Sequence, residues 1–398
     1  MTLKIRIGSI LNFLLFALVL LWSGSPYQTI YPIIEKLQLP IAVIFAVLFV
    51  NKYKKKYKCS FYSLSVIVFF LMIFLTWITH INESLTPYIE IAGFIFIAYF
   101  ITQIFSFKTV IDVYLKVLTL VATVSLFGHF LLNNTDLLNN LPKLTNVNGK
   151  AYGIGIIFNY LVEFPRRNCG IFWEPGIYAS FLAIAIIFEL CFKKSSVNWF
   201  RIILFFVTII TSSSSAGFVL FGFCIMLLIT NLFKQKKNIF VNIFGVIALI
   251  VLAVLLINLE TIILNNPTLS NNIYVMKLLP ENAMNNARYL GLLHNIELFM
   301  ESPISGCGFY TVIKRMAHVA DISTSTYLMS IFGILGLFYT VCWFVGIFRQ
   351  KHLSIYSRIV IFMSFMVILN KETHIMIILT WIIMFGLLKE NRFSNNNE

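Results

Sequence analysis

Charge is what this sequence has least of. Only 12% of its 398 residues are Asp, Glu, Lys or Arg, while 59% are hydrophobic, and an ordinary soluble domain carries about twice that charged share. A water-soluble enzyme is thereby excluded. Cysteine is also sparse. Six Cys stand far apart with no CxxC among them, which excludes a zinc or disulfide framework built on close spacing. No GxxxxGK[ST] and no GxGxxG occurs, so no nucleotide-binding loop is expected. No cofactor and no metal site is read from the chain.

What is present in their place is long apolar runs. Hydrocarbon about 30 Å thick needs about 20 residues of helix. Runs of that kind are Ile7–Ser23, Ile33–Val50, Phe61–His80, Tyr88–Phe105, Leu115–Leu132, Gly176–Phe192, Phe240–Leu259 and Ser325–Phe348. Two longer stretches, 202–233 around TSSSS and 359–388 around NKETH, carry a polar break and read as re-entrant-like hairpins of two short helices. The expected fold is all-α: one polytopic membrane domain over 1–398 with about 12 transmembrane helices.

The net charge of +14 is explained by orientation. With both termini inside, the inner segments hold 20 of the 30 Lys and Arg and 4 of the 16 acidic residues, as the positive-inside rule requires. The excess therefore marks contact with anionic lipid headgroups, and no nucleic-acid partner is expected. The two long loops, 133–173 and 260–324, both fall on the outer face. The inner loops are short, so any substrate arrives already energised on the outside.

Candidate chemistry gathers in those outer loops and at the hairpin tips. In FPRRNCGIFWEPGIYASF, Arg166 and Arg167 offer planar donor forks suited to a pyrophosphate, the alternative being snorkelling to headgroups. Glu174 is a proton acceptor for a sugar hydroxyl or the ion-pair partner of an arginine, and Trp173 precedes it. Pro175 suits a helix start, where its missing N–H is no loss. In the second loop an amphipathic helix on or near the membrane carries Arg288, a second phosphate or sugar ligand, and His294, either a general base or a solvated side chain. His318 and Arg315 are further binding candidates, set against a solvated face. Ser213 at the first tip offers a hydroxyl or simply close packing. Lys371 and Glu372 at the second tip are costly in lipid and should face a cavity. Of the cysteines, Cys169 and Cys307 lie on the oxidising outer side and are expected to pair.

Four motifs in order resemble the O-antigen polymerase and O-antigen ligase superfamily: Arg167, Gly170, Phe172, Glu174, Pro175 and Gly176; Thr211, Ser213 and Gly217; Arg288, Pro303, Gly306 and Gly308; and Tyr327, Leu328, Gly333, Ile334 and Gly336. The resemblance implies transfer of a glycan from an undecaprenyl-pyrophosphate carrier on the outer side of the bacterial inner membrane, without cofactor or metal. The partners it implies are carrier-linked repeat units, membrane lipid, a chain-length regulator and a flippase. Ligases place a His before the span that follows the large loop. Here that stretch is Ile322–Leu328 without His, which favours a polymerase. A flippase or transporter of about twelve spans is the alternative from another class, and a structural partner in a polysaccharide assembly is a third.

Overall fold

The computed structural model describes residues 22–31, 40–44, 61–136, 140–146, 149–155, 157–193, 196–233, 287–316 and 323–389, with Val19, Leu37 and Val47 besides. The expected spans Ile7–Ser23, Ile33–Val50 and Phe240–Leu259 lie wholly or mostly outside these residues, as do about half of the second long loop, 260–324, and His318.

The chain is mostly helical. Five helices are long and apolar enough to cross a membrane: Phe61–Thr79, Thr86–Ile104, Phe107–Asn134, Pro175–Phe192 and Thr324–Phe348. They coincide with five of the expected spans. The third is longer than its apolar run. Ser106 caps it by accepting from Thr109 N at 3.2 Å, and the helix begins at Phe107, about two turns before the apolar run that starts at Leu115. Apolar side chains cover the outward faces as well as the inward ones. In Phe61–Thr79, Phe69 and Met72 are buried while Leu64, Ile67, Leu71, Phe74 and Ile78 are about half exposed. A helix greasy on all sides suits a lipid solvent.

Each of the two long apolar stretches breaks into two helices at its polar residues. The first gives Trp199–Ser212 and Ser215–Phe233, with Ser213 in the left-handed region at φ 47°. The second gives Ile355–Lys371 and Ile378–Lys389 around a 3-10 turn, His374–Met376.

The first long loop, 133–173, departs from the all-α expectation. It folds as a three-stranded antiparallel sheet, β1 (Lys143–Thr145), β2 (Ala151–Ile154) and β3 (Asn159–Leu161), with Leu144 opposite Tyr152 and Tyr152 opposite Leu161. Strands of three or four residues are too short to display a period of two in the sequence. Tyr152, Leu161 and Cys169 form its core, with Ile30, Ile154 and Trp173 packed against them.

The chain divides into two compact units. The first comprises 1–54, 96–221 and 377–383, the second 55–95, 222–376 and 384–398. In the first, the helix Pro175–Ile187 is buried at every residue and packs against Phe107–Asn134 and Trp199–Ser212. In the second, Thr324–Phe332 is central, touching Phe61–Thr79, Ala287–Glu301, Leu337–Phe348 and Ile355–Lys371.

Candidate functional site

The first unit carries the polar corner. Residues 167–170 are fastened to the tip of the first hairpin by Asn168, which is buried. Its N–H donates to Thr211 O at 3.1 Å, its Nδ2 to Thr211 Oγ1 at 3.1 Å and to Ser125 Oγ at 3.3 Å, and its Oδ1 accepts from Gly170 N at 3.0 Å. Gly170 sits at φ 56°, where a side chain would also strike the Tyr178 ring at 2.7 Å. Arg167, half-buried, donates from Nε to Ser212 O at 3.3 Å. The first two motifs thus meet: the arginine of one lies on the serine-rich turn of the other.

Glu174 occupies the N-cap position of the Pro175 helix without a side-chain cap bond. Its carboxylate lies 3.4 Å from Lys150 Nζ, a partner that no sequence motif singles out. Trp173 is half-buried, with its N–H on Gly24 O at 2.8 Å. Arg166 is exposed.

Charge and burial act together on the small core below. Burial pushes the Cys169 thiol up to about 12, Arg167 pulling it down and Glu174 adding to the rise. Burial likewise raises the Tyr152 phenol, and Cys169, Glu174 and Glu163 add to it. Arg167, Glu174 and Glu163 therefore all act on this one core.

The second unit is organised differently. Pro303 O accepts from Ile334 N at 2.7 Å, Cys307 N donates to Ser330 O at 2.8 Å and Gly308 N to Ile331 O at 3.2 Å. The motif glycines make this possible. A Cβ on Gly306 (φ 72°) would lie 2.0 Å from Ile331 O, one on Gly333 (φ 65°) 2.4 Å from Ile304 O, and one on Gly336 2.2 Å from Leu328 O. The last two motifs are thus one backbone-to-backbone junction. The short turn after Thr79, which no motif marks, closes over it: His80 Nε2 lies 3.1 Å from Gly306 O, and Glu83 accepts from Tyr88 Oη at 2.8 Å and Thr311 N at 3.4 Å.

Other candidates fall into local pairs. His294 Nδ1 lies 3.0 Å from Glu297 on the outward side of the same helix, and Arg315 Nη1 reaches both oxygens of Glu301 at 2.7 Å. Arg288 lies in the first turn of that helix, and its side chain is outside the described residues. Lys371 and Glu372 pair at 2.6 Å with side chains 8% and 15% exposed. Beside them Thr324 Oγ1 donates to Glu372 O at 2.9 Å and accepts from His374 N at 2.7 Å, and Ser323, at φ 62°, donates to Asn370 Oδ1 at 2.5 Å. The segment before the Thr324 helix and the NKETH tip are thereby joined.

The expected Cys169–Cys307 disulfide is not formed. Both are buried free thiols, Cys169 with its Sγ on Arg167 O at 3.6 Å and Cys307 with its Sγ on Leu298 O at 3.2 Å. Each fills an interior position in its own unit, as small apolar side chains do. Among the described residues no group of three or more His, Cys, Asp or Glu stands within reach of one metal ion. No family model, curated protein or solved structure matches the chain.

Proposed function

We propose that the protein is a surface-polysaccharide polymerase of the bacterial inner membrane, with about twelve spans and both termini inside. It transfers a growing glycan from undecaprenyl pyrophosphate to a carrier-linked repeat unit on the outer face. The reading rests first on the order of the four motifs and the charge asymmetry of the loops. The observation that carries it furthest is the polar corner of the first unit: Arg167 on the hairpin turn, Arg166 beside it, and Glu174 at the start of a wholly buried helix.

The chemistry needs little else. The acceptor hydroxyl oxygen bonds to the anomeric carbon of the donor. The bond from that carbon to the diphosphate oxygen breaks, leaving its electron pair on the diphosphate, and the hydroxyl proton passes to a carboxylate. Arginine guanidinium groups stabilise the charge that develops on the leaving diphosphate, and Glu174 receives the proton. Ligation to lipid A core would use the same steps. The absence of His from Ile322–Leu328 favours polymerisation.

Deletion of the gene followed by a lipopolysaccharide gel tests the assignment. A polymerase defect leaves one repeat unit per lipid A core. Core alone with accumulated carrier-linked polymer would point to a ligase, and core alone with single units facing the cytoplasm to a flippase.

A further inference from the structure

Lys150 belongs to no motif, yet the fold delivers it to the candidate site. The connection between β1 and β2 is closed by Asn146, whose Oδ1 accepts from Lys150 N at 2.9 Å and whose N–H donates to Lys150 O at 3.0 Å. Gly149, at φ 78°, donates to Asn146 O at 3.0 Å. The Lys150 backbone is therefore pinned immediately before β2, and its ammonium projects from a fixed point to Glu174.

The pair itself is loose. Its 3.4 Å separation exceeds the roughly 2.7–2.9 Å of a close ammonium–carboxylate bond, and its side chains are 45% and 21% exposed. Glu174 is not committed to capping its helix. A long pair with a half-exposed lysine contributes little to stability, so the ammonium can leave it at little cost.

We infer that Lys150 is a third ligand for the diphosphate, beside Arg166 and Arg167, and that its ion pair with Glu174 is exchanged when the diphosphate arrives. The anion offers more charge and more acceptor oxygens than one carboxylate, so the ammonium moves to it. Glu174, parted from the ammonium, takes the proton of the attacking hydroxyl as the new glycosidic bond forms and the diphosphate departs with its electron pair. Substrate binding and the readiness of the proton acceptor are thereby one event. This inference rests on the transfer reading above and adds to it a residue and an order of events.

Calorimetric titration of the full chain in zwitterionic-lipid nanodiscs with inorganic diphosphate tests it. Lys150→Gln should weaken binding by about tenfold, the scale of one charge-assisted hydrogen bond, and Lys150→Arg should restore most of the loss. Glu174→Gln should tighten binding, because the carboxylate no longer competes for the ammonium. Unchanged affinity in Lys150→Gln, unchanged or weaker affinity in Glu174→Gln, or no diphosphate binding by the wild type would each overturn the inference. So would recovery of both binding and long polymer in the charge-swapped K150E/E174K double variant, which would make the pair structural. The gene deletion reads the polymerase assignment separately: a normal glycan ladder in the deletion strain removes that assignment whatever the titration gives, and a negative titration beside a defective ladder removes only the role of Lys150.

Discussion

The two units use their motif residues in opposite ways. In the first, the positions that matter are side chains: the motif residues Arg167, which lies on the turn, and Glu174, which reaches away from its helix to Lys150, with Asn168, outside the motif, tying loop to hairpin. In the second, they are the residues without side chains, because Gly306, Gly333 and Gly336 let backbone press on backbone. Motifs that look alike as strings of letters thus divide into a polar corner of side-chain contacts and a junction that holds helices together. The difference teaches that spacing identifies both and distinguishes neither.

The sharpest way to break this comparison is Gly306→Val. Its Cβ would enter a carbonyl that cannot retreat, at a left-handed φ as well, and a loss above about 3 kcal/mol is expected. Folded protein recovered from membranes should fall to near background. Normal levels and a normal unfolding temperature would show that the junction is not structural.

Arg167→Ala should do the reverse. Protein level should hold, while transfer falls by about a hundredfold or more, the scale of removing one preorganised charge stabiliser. A normal glycan ladder would place the chemistry elsewhere. Asn168→Ala should lie between these two. It leaves partners of a buried amide unmet, at a cost of about 1–3 kcal/mol, and it should lower both unfolding temperature and chain length, since it loosens Arg167.

Smaller still is the effect of alkali on Cys169. Its thiol is raised from an ordinary 9.0 to about 12 in the fold, so well below pH 9 the thiol is neutral folded or unfolded and stability does not depend on it. As pH rises from about 9 to 12 the unfolded chain ionises first and the fold is weakened. Cys169→Ala should flatten that part of the profile, and iodoacetamide should leave Cys169 unlabelled at pH 8 until the protein unfolds. His294→Ala should change least, because an exposed helix pair contributes about 0.3–0.5 kcal/mol. A large loss of transfer there would return the chemistry to the second unit.

Much of the scaffold was legible in the sequence because lipid imposes a simple rule on composition. The five long helices coincide with apolar runs, and both polar interruptions, TSSSS and NKETH, break helices where they stand. The site was legible only where its residues carry recognisable chemistry. Arg167 and Glu174 announce themselves, whereas Asn168 and Lys150 become important through partners 43 and 24 residues away. Cys169 and Cys307 were misread for the same reason. Their places in the two loops expected outside suggested a bond, and each instead fills an interior position. The β1–β3 sheet was hidden because its strands are shorter than any pattern they could show.

One contact sets a schedule for assembly. Leu379 N donates to Ser23 Oγ at 3.3 Å, across 356 positions of sequence, and both belong to the first unit. Synthesis at about 5–20 residues per second separates those two residues by roughly 20 to 70 seconds. Throughout that interval the earliest-made part of the unit waits in the membrane without this partner. A chain stopped short of residue 379 should therefore leave the first unit, with its polar corner, open to quality-control proteases even though every residue of that corner has already been made.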